Sequence, residues 1–405
     1  MLKRFLAVMF LLVMAVGVYA QSIPSGTGRY SALGNSPFIL DAHIDMLNNP
    51  AWNTQYRNYA FSDLNQFGES SDFDGHAGVT FALGKKWNLG MVVNRRQDGW
   101  NNFSVDSVNA PIVPFMGLIG YTASKDFQIG LAPYVAMWNA KWTGDTSYTY
   151  DRSSSSLGAN LGIIYMVKKG WIEGNVKFRM NKYKDETTVG GTLTTQENDG
   201  GIELSVGLRG WIYPSKGSKV AVVPLLGFYT YSYTPKTTVG STTVEGNENN
   251  WLNINGGVGL NWPIVDDIQI AGGVQAFYNT YKASFSDTTG TYESKFTDFI
   301  APVFNMAVET RIADWITGRL GFVKGINMGS DEYTAPSTTL EYSDLSAFNS
   351  SSISLGAGFH FGRFSIDATV SERWLKQGPY WISGSNNQNS EDLFGIISAS
   401  YNFSK

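Results

Sequence analysis

"WLNINGGVGLNWPIVDD", Trp251 to Asp267, weaves two sets of side chains together. Leu252, Ile254, Gly256, Val258, Leu260 and Trp262 fall on one parity, and Trp251, Asn253, Asn255, Gly257, Gly259 and Asn261 on the other. Successive side chains of an extended strand point to opposite faces, so one face here is greasy and the other is made of amides and glycine. The fold turns on what the greasy face touches.

The same weave recurs from Gln55 to the C-terminus. Gly200 to Tyr213 sets Ile202, Leu204, Val206, Leu208 and Ile212 against Glu203, Ser205 and Arg209. Trp171 to Lys182 sets Ile172, Val176, Phe178 and Met180 against Glu173, Asn175, Lys177 and Arg179. Ser352 to Phe361 and Phe364 to Arg373 repeat it. Short links (Gly84 to Lys86, Ser124 to Asp126, Lys168 to Gly170, Pro214 to Ser218, Val265 to Asp267, Ala313-Asp314, Gly362-Arg363) alternate with long polar segments. Those segments run Asp98 to Ala110, Gly144 to Ser154, Lys184 to Asn198, Pro235 to Asn247, Ser286 to Glu293, Gly329 to Ser346 and Gln377 to Asn389. Tight turns at one end and long loops at the other are the plan of an antiparallel transmembrane β-barrel, here of about 14–16 strands over residues 55–403. Pro114, Pro133, Pro224 and Pro302 fall inside the predicted strands, where a missing N–H predicts bulges or frayed rims.

Composition agrees. Charged residues are 16% of the chain, against roughly 25% in ordinary soluble domains, while aromatics reach 14% and glycines number 44. Zero cysteine excludes disulfides and thiolate metal sites. A net charge of -4 argues against a nucleic-acid partner. Lys3 and Arg4, the apolar run Phe5 to Val18 and the small-residue site Val18-Tyr19-Ala20 read as a signal peptide (residues 1–20) cleaved after Ala20, with an uncleaved N-terminal anchor as the alternative. The expected location is therefore the outer membrane, with its lipid bilayer as a partner. Trp87, Trp171, Trp262 and Trp315 lie beside short turns, and Tyr229, Tyr231 and Tyr233 near a long loop, which predicts two aromatic girdles. The greasy face then touches lipid; in the alternative, a secreted β-sandwich, greasy faces touch each other.

The opposite face carries charge. Glu173, Lys177, Arg179, Glu203, Arg209, Glu309, Arg311, Arg319, Asp367 and Arg373 all take the non-lipid parity, where they either bridge to one another and to a plug or line an aqueous path. Residues 21–54 are expected to form that plug. Ser36 can cap a helix with Pro37 in its first turn, Ile39, Ala42, His43, Met46 and Leu47 make one stripe, and Pro50 stops it; a loose periplasmic tail is the other reading.

The closing stretch "GIISASYNFSK", with Tyr401 and Phe403 two apart, resembles the assembly signal of outer-membrane barrels and implies the barrel-assembly machinery as a partner. "SALGNSPFILDAHIDMLNNPAW" resembles the inward-folded N-terminal segment of FadL-like transporters and their PorV/PorQ-type relatives: Gly34, Asp41 and Asn49-Pro50-Ala51 match that pattern, while Trp52 departs from it. The resemblance implies either transport of small solutes, hydrophobic ones included, or a non-conducting barrel with secretion partner proteins.

No cofactor, metal or enzyme site is expected. The chain has three histidines; His76 beside Asp72 and Asp74 is a weak acid-base candidate, and "NNQNSED" (Asn386 to Asp392) a weak cation loop. His43, His76 and His360 are expected to lie too far apart to share a site.

Overall fold

In lipid, every backbone N–H and C=O must be paired internally, so a sheet can span a membrane only by closing on itself. The computed structural model, which describes residues 28–63, 75–96, 111–144, 148–287, 290–335, 338–370 and 394–403, is a closed antiparallel barrel of 16 strands. The signal peptide, Asp72, Asp74, Arg373, residues 386–392 and the segments 98–110 and 377–389 lie outside the described residues.

The strands are β1 (Tyr59–Asp63), β2 (His76–Leu83), β3 (Trp87–Val93 and Arg95–Arg96), β4 (Ile112–Thr122), β5 (Phe127–Thr143), β6 (Tyr148–Val167), β7 (Gly170–Val189) and β8 (Thr192–Ile212). There follow β9 (Ala221–Tyr233 and Lys236–Val239), β10 (Thr242–Glu245 and Glu248–Val265), β11 (Ile268–Asp287), β12 (Gly290–Ala313), β13 (Ile316–Ala335), β14 (Thr338–Phe361), β15 (Phe364–Val370) and β16 (Phe394–Asn402). Each pairs with its sequence neighbours, and β1 pairs with β16 (Ala60 opposite Tyr401) to close the ring.

The opening stretch lies in β10. Ile254, Val258, Leu260 and Trp262 are exposed on the outer face, whereas Gly259 and Asn261 are buried inside. On β7 the outer face is apolar from Ile172 to Met180 and turns to exposed lysine at Lys182 and Lys184. That nine-residue band is what a tilted strand needs to cross hydrocarbon, about 9–11 residues. Since β7 has 20 residues and β14 has 24, the wall continues well beyond the membrane.

Here the long polar segments differ from expectation. Among the described residues they are strand nearly to their tips: β7 and β8 meet at Gly190-Gly191, and β9 and β10 at Gly240-Ser241. Both Gly190 and Gly191 have positive φ (57° and 84°), the requirement of a two-residue type I′ hairpin. The intervening residues are rich in threonine, which favours strands, so polarity alone misled.

The prolines behave largely as predicted. Register breaks flank Pro114 and Pro302, and the β8–β9 ladder is interrupted beside Pro224. Pro133 sits in an unbroken ladder with β6 and interrupts only the ladder with β4, because a strand residue's N–H points toward one neighbour alone.

Trp87, Trp262 and Trp315 stand outward beside short turns, about half exposed. Trp171 and the tyrosine trio are corrections. Trp171 shares the inward parity of Glu173 and stacks on Trp211 at 5.5 Å and 4°, with Trp52 edge-on at 5.9 Å. Tyr229, Tyr231 and Tyr233 also face the lumen, where Tyr231 stacks on Trp251 at 6.2 Å and packs with Tyr183. Parity outweighed proximity to a turn or loop. Tyr401 and Phe403 point outward; Phe403 stacks on Phe81 at 6.3 Å, and its N–H donates to Asn58 O across the closing seam at 2.7 Å.

Candidate functional site

Residues 28–54 fold into the lumen at the short-turn end. Helix α1 (Gly28–Ala32) is followed by an irregular stretch, helix α2 (Ala42–Asn48) and a 3-10 turn (Pro50–Thr54). The helix expected from Pro37 begins instead at Ala42. Asp41 caps it, its Oδ1 accepting from the N–H groups of both His43 and Ile44 at 3.1 Å each. Asn49 caps the 3-10 turn through Ala51 N–H at 3.1 Å.

The wall is cut to receive this segment. A Cβ on Gly130 would lie 2.1 Å from the Pro50–Ala51 backbone, one on Gly321 2.1 Å from Gly34 N, and one on Gly259 2.4 Å from the Phe38 ring. Phe38 itself is fully buried with Leu33, Trp211 and Val223. The irregular backbone has carbonyls that need donors, and inward asparagines supply them. Asn160 donates to Leu47 O and Asn48 O, Asn261 to Phe38 O at 2.8 Å, and Asn53 and Asn88 exchange bonds with each other's main chain.

Two ionic nodes complete the seat. In the first, Arg209 reaches Asp45 at 2.6 Å and Glu173 at 2.5 Å; Glu173 also accepts from Asn49 Nδ2 at 3.1 Å and from the Trp52 indole N–H. In the second, Asp41, Arg29, Glu309, Arg319 and Asp367 form a chain of ion pairs at 2.7–3.1 Å. It lines a cavity of about 240 Å³ that also touches Thr317 and His360. Buried charge is tolerated here because each group meets opposite charge. Burial pushes the Asp45 carboxyl up to about 7, with Glu173 adding to the push and Arg209 opposing it. For Arg29 burial acts downward, yet Glu309 and Asp41 outweigh it and raise the guanidinium further. Burial also raises the Tyr30 and Tyr56 phenols.

The charged residues named from parity thus fall into separate settings. Glu173 and Arg209 meet the N-terminal segment, as do Glu309, Arg319 and Asp367. Arg179 and Glu203 pair with each other at 3.1 Å higher on the wall, both almost fully buried. Lys177 is half-buried on the inward parity, and Arg311, near the end of β12, is exposed 3.7 Å from Asp267. Sequence reading missed Arg29, Asp45 and the donor asparagines. The glycines and amides of one parity were their visible trace.

The histidines correct a further expectation. His43 Nε2 lies 2.7 Å from His76 Nε2, both side chains buried, with the Phe61 ring 4.1 Å from that of His43. Helix α2 rises along β1 and β2, which brings together two residues that strand position alone would separate. His360 stays apart, between Thr317 Oγ1 and Ser365 Oγ. Among the described residues no group of three or more His, Asp or Glu side chains could hold a metal ion.

A closed, even-stranded wall with an apolar exterior and a chain segment folded into its lumen defines an outer-membrane β-barrel. No family model matches the chain, and no curated protein does. Among solved structures it is similar to the toluene transporter TodX of Pseudomonas putida, at 10% identity over 94% of this chain and 99% of that one, with a TM-score of 0.41. The Ralstonia pickettii toluene transporter TbuX matches at 11% identity over 94% and 98%, with a TM-score of 0.36. The ferric yersiniabactin uptake receptor FyuA of Yersinia pestis matches at 9% identity over 86% and 80%, with a TM-score of 0.41.

Proposed function

We propose that this barrel carries small solutes across the outer membrane, with residues 28–54 as a plug whose release opens the path. The observation that carries the reading is the chemistry of the plug–wall joint. Beside its apolar contacts it is stitched by ion pairs and asparagine-to-carbonyl bonds, which water can replace when the surfaces part. Above the plug the lumen wall bears Trp138, Tyr183, Tyr229, Tyr231, Tyr233 and Trp251 beside Asn249, Asn253 and Asn279. Rings next to amides suit solutes with an apolar face and a polar edge. The bilayer and the barrel-assembly machinery are its general partners in this reading.

Planar-bilayer recording of the intact chain and of a variant lacking residues 28–54 tests it. Steady current in the variant and rare openings in the intact chain are expected; silence in both refutes transport. The second reading, a non-conducting barrel that meets a secretion partner, draws on the hairpins that project beyond the membrane. Co-purification of a stable partner on those hairpins, with silence in both recordings, would favour it.

A further inference from the structure

We propose that the His43–His76 contact is a proton-operated latch that holds the plug seated at neutral pH and releases it in acid. The argument starts from hydrogen count. Two imidazole Nε2 atoms at 2.7 Å can bond only if one carries hydrogen and the other accepts. When both rings are protonated, both nitrogens become donors and the contact turns repulsive.

The surroundings keep the seated His43 neutral. His43 lies on α2 and His76 on β2, so the contact joins plug to wall. Both side chains are buried, and Phe61 of β1 covers both rings. The charged neighbours are Arg95 of β3, which opposes charge on His43, Asp63 of β1, which pairs across the ladder with His76, and Asp41 and Asp45 on the plug itself. Burial, followed by His76 and Arg95, lowers the His43 pKa well below its ordinary value. The nearby guanidinium disfavours any cation at the seated His43, a bound proton included.

The sign follows from linkage. A released plug exposes both imidazoles to water, where each takes a proton near the ordinary value of about 6.5, so acid favours release. Asp45 acts oppositely: with its carboxyl raised to about 7, it binds a proton while seated and gives it up on release. The seated pair can hold one proton before its contact turns repulsive and the released pair binds two, so the pair by itself raises the released-to-seated ratio about tenfold per pH unit below roughly 5.5, and Asp45 opposes that rise.

The latch rests on the reading that the plug can leave its seat, so the test follows the plug directly rather than current. The chain has no cysteine. Spin labels on N48C in the plug and K85C in a turn therefore report their separation by pulsed dipolar resonance, with urea poising release at its midpoint at pH 7.5. D45N, which removes the opposing group, should shift toward the released distance about tenfold per unit of acidification below about pH 5.5, and wild type by less. H43Q/H76Q, which keeps amide partners but cannot charge, should reverse the sign and seat the plug in acid. A flat D45N profile, or a wild-type profile unchanged in H43Q/H76Q, overturns the latch. Heat-dependent gel mobility verifies that each variant is a folded barrel, and H76N alone should still halve the number of protons bound by the pair. Plug movement without current would leave the latch standing and remove the transport reading.

Discussion

Replacing Gly130 with alanine tests whether the inward glycines form the plug's seat. The new Cβ would stand 2.1 Å from Ala51 N and Pro50 C, so wall and plug must part by about 1.3 Å to reach the 3.4 Å of an ordinary contact. These are backbone atoms, which cannot swing aside as a side-chain tip can. Withdrawal of Pro50 also draws Asn49 away from Glu173, now 3.1 Å distant. Overpacking of this kind costs about 1–3 kcal/mol, which raises the released-to-seated ratio roughly 5- to 150-fold. Open probability in planar bilayers and proteolytic removal of residues 28–54 should both rise by that order. G256A is the control, since a Cβ there meets nothing closer than 3.7 Å. The seat is refuted if G130A stays as closed and protease-resistant as wild type, or if G256A changes as much.

Other substitutions probe the remaining supports. R209A strands the buried carboxylates of Asp45 and Glu173 and should destabilise the seated plug by about 3–5 kcal/mol, read as early urea release, with R209K restoring part of the loss. V176K puts a charge inside the outer apolar band and should lower barrel stability by about 2–4 kcal/mol in lipid, whereas E186K, beyond the band, should change it little. F403A removes the ring stacked on Phe81 at the closing seam and should lower the fraction assembled in membranes, measured by heat-dependent mobility.

How far the sequence could be read depended on what each signal measures. Period-two alternation reports which face meets lipid, so β7, β8 and β10 were legible residue by residue, and the closed barrel's 16 strands fall within the 14–16 expected from it. Glu173 and Arg209 were placed on the inner face by the same parity. Their partners were not, since Asp45 and Trp52 lie on a segment whose path through the lumen obeys no periodicity. The meeting of His43 with His76 depends on that path and on where α2 begins. The helix start itself was misplaced because two capping residues, Ser36 and Asp41, competed for one helix. The projecting hairpins were mistaken for loops because polarity marks contact with water, and strands in water are polar on both faces.

The strands that outrun the membrane also set where a solute first meets the protein. On the side of β7 and β8, about ten residues beyond the apolar band, at about 3.3 Å each and tilted about 40°, lift the rim roughly 25 Å above the lipid. That side of the barrel thus stands as a tall chimney wall, clear of the crowded layer of headgroups at its base. Among the described residues this part of the rim is laced by ladder hydrogen bonds, which hold its strands at a fixed spacing.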